Sequence, residues 1–290
     1  MAGEKQAVKH LANWSVYALL LVCAVVTLTP FVYLVCSAVK TKEAFFMSYF
    51  LPPGDGFLGI DWRGLTLEHF HTLFTDPSLD FARAVVNSVF YASVASVLST
   101  LCAAMGGYAL AKFSFRANKL LTGLVLASLI IPGPLLLAPG YQLIYRLGLL
   151  DSFTGLILPG IVPAFGVFLF RQTMLYSVPL DIMEAARIDG CGEIRIFFTM
   201  IVPLVKPMIG AFLLITFLGA WNNFLHPQII LQTPEKFPLA VAIAQLKGLY
   251  GIDYGLLMAG TLVSIAPVMC LFLLLQRDFV SGLTTGALKG

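Results

Sequence analysis

Charge is what this chain has least of. Asp, Glu, Lys and Arg make up 11% of its 290 residues, against about 25% in an ordinary soluble domain. It is missing in blocks: six intervals free of charged side chains cover residues 10–39, 84–111, 120–145, 152–170, 207–234 and 254–276. The shortest of these is 19 residues long, and the next longest uncharged interval, 44–54, is only 11. A helix needs about 20 mostly apolar residues to cross a bilayer, and a charge near the membrane centre costs several kcal/mol. The absences therefore exclude a soluble globular domain and imply an all-α integral membrane protein with six spans, near 15–39, 84–111, 120–145, 153–170, 207–231 and 257–276.

Other absences exclude chemistry. The chain has no Gly-Lys dipeptide, so it cannot form the GxxxxGK[ST] phosphate loop of an ATPase. It has no GxSxG elbow, no paired carboxylates and no His/Cys set at ligand spacing, so no catalytic residue and no metal site is assigned. His69 and His71 read as solvated loop residues. The net charge of +3 is spread through both signs, which excludes the clustered basic face of a nucleic-acid binder. Cys23, Cys36, Cys102 and Cys270 fall in spans and Cys191 in a loop, a distribution that suits packing residues better than a disulfide framework. No internal repeat between residues 1–145 and 146–290 is visible.

What charge there is sets orientation. The first apolar run is longer than a signal-peptide core and reads as a retained anchor. Eleven of the 18 Lys and Arg fall on the N-terminal segment, loop 112–119, loop 171–206 and the tail from 277. The positive-inside rule places these, and both termini, in the cytoplasm.

The span interiors carry prolines and a few amides. Pro132, Pro134 and Pro139 in span three and Pro267 in span six predict kinked helices facing the bundle interior or a path. The candidate substrate path is Trp221, Asn222 and Asn223, with Tyr141, Gln142 and Asn87. No ionisable residue joins this set in the reading of the sequence, which disfavours a proton or sodium relay and suits a neutral hydroxylated solute. Interhelical hydrogen bonding is the alternative use of the same amides.

One segment breaks the pattern. EAARIDGCGEIRIFFTMIVPLVKP, residues 184–207, gathers Glu184, Arg187, Asp189, Glu193, Arg195 and Lys206 between apolar runs. It predicts a short helix opened by Pro179 and Asp181, with Asp181 as N-cap and Glu184 completing a capping box. Gly190 and Gly192 stop that helix. A second follows, presenting Ile194, Phe197, Phe198 and Ile201 on one side. A helix this short is marginal alone, so something must hold it. Ala185 and Ala186 offer a small-residue face for a second surface, with Glu184 at its edge; a loop that merely covers its own bundle is the other reading.

The order Glu184-Ala185-Ala186, Asp189-Gly190, Ile201 and Pro203 resembles the EAA loop of bacterial ABC importer permeases. Val202 stands where that family usually has Leu, and Cys191 where it often has Ala. PGYQLIYRLGLLDSFTGLILP (139–159), FLFRQ (168–172) and QRDFVSGLTTGALKG (276–290) are similar to the carbohydrate-uptake branch, of the maltose type, and the likeness covers residues 83–290. It implies a type I importer fold with a cytoplasmic coupling loop at 177–206 and a cytoplasmic tail at 277–290. It also implies a non-catalytic permease subunit that carries a sugar or oligosaccharide by alternating access. The implied partners are a second permease, two ATPase subunits holding ATP and Mg, and an extracytoplasmic solute-binding protein. Glu184, Ala185, Ala186, Asp189 and Gly190 become the ATPase-docking residues, and Gly282, Leu283, Thr284, Gly286, Lys289 and Gly290 a second contact from the tail. The competing reading is a secondary transporter or channel for a neutral polar solute.

Overall fold

The computed structural model describes residues 2–247 and 253–287, with side chains over 14–247 and 253–276. Among these residues every regular element is a helix. This is what a bilayer demands, since a helix satisfies its backbone N–H and C=O groups within one segment. Three helices are long and apolar enough to cross unbroken: Trp14–Ala38, Phe81–Lys112 and Tyr254–Gln276. Three bent pairs are long and apolar enough when each is taken together, Asn118–Ser128 with Gly133–Arg146 (101°), Phe153–Gly160 with Ala164–Ser177 (44°) and Glu193–Leu204 with Lys206–Trp221 (85°), which makes up to six spans. Proline stands at each break: Pro132 and Pro134, then Pro159 and Pro163, then Pro203 and Pro207. Each removes an N–H donor and crowds the preceding turn. At Pro267 the last helix continues without a break, at the loss of the backbone bond that proline cannot donate.

The chain divides into two compact units, residues 1–80 with 245–264 and residues 81–244 with 265–290. In the first, α1 (Ala2–Ala38) leads into α2 (Lys42–Met47), an irregular segment and α3 (Glu68–Thr75). Lys40 organises this stretch although it is completely buried. Its Nζ donates to the carbonyls of Ser48 (2.7 Å) and Tyr49 (3.3 Å) and lies over the rings of Tyr33 and Phe45. Burial holds its pKa below the usual lysine value. His71 is exposed as expected, but His69 is not a solvated loop residue. Its side chain is 12% exposed, Nε2 lies 2.9 Å from the Lys40 carbonyl, and the ring packs so closely on Gly255 that a Cβ there would sit 2.2 Å away.

In the second unit, α4 (Phe81–Lys112) is the central element. At 1.5 Å per residue its 32 residues span about 48 Å. After it come α5 (Asn118–Ser128), α6 (Leu137–Arg146), α7 (Phe153–Ile157) and α8 (Ala164–Ser177), then α9 (Leu180–Ile188) and α10 (Glu193–Ile196). The last of these continues through a π turn, Phe197–Ile201, into α11 (Val202–Leu204). The remaining elements are α12 (Lys206–Trp221), α13 (Leu225–Ile230), α14 (Leu239–Gln245) and α15 (Tyr254–Ala287). Helices α4 and α8 meet through small residues, the usual means of close approach in membranes. A Cβ on Gly107 would lie 2.6 Å from Phe170, and one on Gly166 would lie 2.8 Å from Ala103.

Candidate functional site

The charged island forms a helix with two separate faces. Met183 and Ala186 point into a core with Tyr108, Met174, Ile196 and Phe197, while Asp181, Glu184, Ala185 and Ile188 are exposed. The expected Ala185–Ala186 surface is thus divided: Ala186 is 6% exposed and belongs to the chain's own packing, leaving Ala185 on the outside. The expected N-cap also shifts. Pro179 occupies the cap position without a side-chain bond, and Asp181 sits inside the first turn, so no capping box forms. There Asp181 still complements the positive end of the helix dipole.

The C-terminus follows the glycine rule. Gly190 has φ +77°; its N–H donates to the Arg187 carbonyl, and the Cys191 N–H donates to that of Ala186. This is a Schellman cap, whose left-handed residue favours glycine. In the following helix the buried residues are Ile196, Phe197 and Ile201, whereas Ile194 is 75% and Phe198 49% exposed. The apolar face expected from a regular helix is therefore turned, because the π turn inserts an extra residue ahead of Pro203.

Two side-chain clusters fasten this loop to the end of α4. In front, Lys112 Nζ donates to the Val178 carbonyl at 2.6 Å. Behind, Arg187 Nε donates to Glu193 Oε1 at 2.6 Å, and the Tyr108 hydroxyl donates to Glu193 Oε2 at 3.0 Å. The Arg187 guanidinium lies 5.7 Å from the centre of the Phe113 ring. The pair with Glu193 raises the Arg187 pKa above its ordinary value. These contacts supply the support that a nine-residue helix lacks alone.

Toward the other end of α4 a cavity of about 560 Å³ opens beside the broken spans. Tyr141 and Asn223, both from the expected path, line it together with Tyr91 and His226. Asn223 Nδ2 donates to the Tyr91 hydroxyl at 3.4 Å, and Asn223 Oδ1 accepts the His226 backbone N–H at 3.3 Å. His226 is an ionisable neighbour, which corrects the reading that none joins this set. Counting Asp, Glu, Lys and Arg alone passes over it, although the adjacent run NNFLH holds the signal. Tyr91, four residues after Asn87 on α4, shares its helix side.

The other expected path residues do not line the cavity. Trp221 is 5% exposed and stacks on Phe217. Asn87 donates to the carbonyls of Glu235 and Phe237, which uses the amide to tie α4 to the turn ahead of α14. Asn222 and Gln142 are exposed outside the cavity. Gly282, Leu283, Thr284 and Gly286 fall on α15 beyond the described side chains, and Lys289 and Gly290 lie outside the described residues. Among the described residues no group of three or more His, Cys, Asp or Glu could hold a metal.

The sequence pattern described as "Binding-protein-dependent transport system inner membrane component" matches residues 83–279, more than half of the chain. This chain belongs to that family. Relatives of this inner membrane component include the arabinooligosaccharides transport system permease protein AraQ of Halalkalibacterium halodurans. The two are 42% identical over 226 residues, covering 78% of this chain and 80% of the relative. The diacetylchitobiose uptake system permease protein NgcG of Streptomyces coelicolor is 31% identical over 277 residues, covering 94% and 88%. In fold the chain is similar to a chain of a bacterial ABC transporter involved in the import of the acidic polysaccharide alginate. That match has a TM-score of 0.78 at 23% identity and covers 93% of this chain and 97% of the other. The first 82 residues lie outside the family pattern, yet the alignment with NgcG and the fold match extend over nearly the whole chain.

Proposed function

We propose that this chain is the permease subunit of an ATP-driven importer that carries a sugar or oligosaccharide across the cytoplasmic membrane, and that α9 is where the motor acts on it. One observation carries the assignment of α9. Its inward residues, Met183 and Ala186, are locked into the bundle, while Asp181, Glu184, Ala185 and Ile188 are left outside. Ile188 is 86% exposed, an apolar side chain that an adjoining protein surface would cover. Asp189 and Gly190 close the helix beside that face. The relatives named for arabino-oligosaccharides and diacetylchitobiose support a carbohydrate cargo.

In this reading two ATPase subunits, holding ATP and Mg, sit beneath this chain and a second permease, and an extracytoplasmic binding protein delivers the solute. Both termini and the 177–206 loop face the cytoplasm. The tail residues Gly282 to Gly290 make the second motor contact. Closure of the ATPases displaces α9; because α9 is fastened to α4, the movement passes into the bundle and switches it between inward-facing and outward-facing states. The path runs past Tyr141 and Asn223.

The test is co-purification from membranes with Ile188→Asp and Glu184→Lys. Each variant should retain the second permease and lose at least tenfold of the bound ATPase. Full recovery of ATPase with both would sink the assignment of α9.

A further inference from the structure

Three glycines on the wall of the cavity have no packing reason to be glycine. A Cβ built on Gly133, Gly140 or Gly160 meets nothing within 4 Å, and none of the three has a left-handed φ. Other glycines are fixed by packing, since a Cβ on Gly107, Gly155 or Gly166 would come within 2.6, 2.1 or 2.4 Å of a neighbour, whereas Gly123 and Gly219 are as open as the cavity three. Gly140 even lies inside α6, where glycine is a poor helix former. The volume these residues leave open is therefore not demanded by the chain's own packing.

Facing that volume are polar groups with bonding capacity to spare. Asn223 uses one amide hydrogen on Tyr91; its second, and the Tyr91 hydroxyl hydrogen, have no acceptor among the described residues. Tyr91 itself is 5% exposed, so its hydroxyl is a buried polar group whose remaining bond would normally be made. Asn223 Oδ1 stands 3.4 Å from His226 Nδ1, which leaves the other ring nitrogen open. Among the described residues no Asp, Glu, Lys or Arg lines the cavity. Apolar walls with a few convergent polar groups, in a volume between roughly 300 and 1,000 Å³, are what small-molecule sites have in common. At membrane depth, broken helices are tolerated where they line such a cavity.

We infer that this cavity is a sugar subsite carried by this subunit itself. It holds part of a neutral oligosaccharide, with a ring face against the apolar wall and Tyr141, and hydroxyls on the Tyr91–Asn223–His226 chain. A carboxylated sugar would find no lysine or arginine there, whereas a neutral polyol would find donors and acceptors at hydrogen-bonding range. The inference rests on the importer reading above and adds to it which subunit reads the cargo, and for what charge.

The test uses the whole complex in liposomes, driven by ATP, with radiolabelled arabinotriose as the neutral probe and a uronic-acid trisaccharide as the acidic one. Wild type should take up only the neutral probe. Gly140→Leu, whose Cβ meets no neighbour and whose further atoms take up cavity volume, should lower that uptake at least tenfold while the full complex is still recovered from the membrane. Asn223→Ala should raise KM about tenfold. Wild-type uptake of arabinotriose by Gly140→Leu would overturn the subsite, and equal uptake of the acidic probe would overturn its charge class. Failure of the wild-type complex on these probes and on a wider oligosaccharide panel would instead count against the importer reading. If Asn223→Ala does not assemble, Gly140→Leu alone decides.

Discussion

Asp151 shows how much one side chain can fasten. Its φ of +53° places it in a region that Asp and Asn tolerate better than other non-glycine residues. From there Oδ1 accepts the backbone N–H groups of Gln232 (2.9 Å) and Thr233 (3.0 Å), and Oδ2 accepts Lys236 Nζ (2.7 Å) and the Thr233 hydroxyl. Lys236 first, then Thr233 and the two backbone donors, hold its carboxyl well below the usual carboxylate range. Charged hydrogen bonds contribute about 1.5–3 kcal/mol each at best, less where a partner such as Lys236 is 40% exposed. Asp151→Asn should therefore cost about 1–2 kcal/mol. Asp151→Ala, which also strains the backbone, should cost about 3 kcal/mol. Because the folded carboxyl titrates below the unfolded one, its contribution is complete above the ordinary value of about 3.9 and is lost as pH falls below it. Thermal unfolding in detergent should rank wild type, Asn and Ala in descending order at pH 7, and the gap between wild type and Asn should begin to narrow only below about pH 4 and shrink progressively as pH falls further. Identical midpoints for all three would contradict this. Nothing in the residues around Asp151 announces the role, because its partners lie 81 to 85 positions away and pairing at that separation leaves no local pattern.

At the scale of the element, α9 was legible as an island of charge with a glycine stop, and Gly190 ends it for the stated reason. Its support was not. Glu193 is six residues from Arg187 but 85 from Tyr108, and only the second contact ties the loop to α4. Spans behave alike: a charge-free interval locates a helix through a local energetic cost, whereas a bend of 101° between Asn118–Ser128 and Gly133–Arg146 depends on what lies beside Pro132. The Arg187 and Glu193 side chains are 37% and 40% exposed, so their pairing contributes only about 0.5 kcal/mol. Its worth is in fixing direction. Glu193→Gln should leave the unfolding midpoint nearly unchanged and the ATPase bound, yet lower solute carried per ATP hydrolysed severalfold. An unchanged ratio in reconstituted vesicles would show that the fastening transmits nothing.

Over the whole molecule, α4 joins two regions of unlike chemistry, with Tyr91 at the cavity and Tyr108 at the loop about 26 Å apart along the helix axis. Under the proposed function, that separation puts the solute contacts and the motor contact toward different sides of a bilayer. The sidedness can be read with an impermeant maleimide on intact cells, after replacement of the five native cysteines. Leu58→Cys and Ile194→Cys occupy positions that are each 75% exposed. The first should label at once, and the second only after the membrane is opened; the reverse order would invert the assigned topology. The division of α9 into two sets of side chains reaches further. Since Met183 and Ala186 pack into the bundle while Asp181, Glu184, Ala185 and Ile188 stay outside, the outer four can be rewritten with the anchorage intact, provided the first turn keeps an acid for the helix dipole. Under the proposed function the motor contact is thus a replaceable fitting: a graft at those four positions should suffice to pair this chain with an ATPase drawn from another transporter.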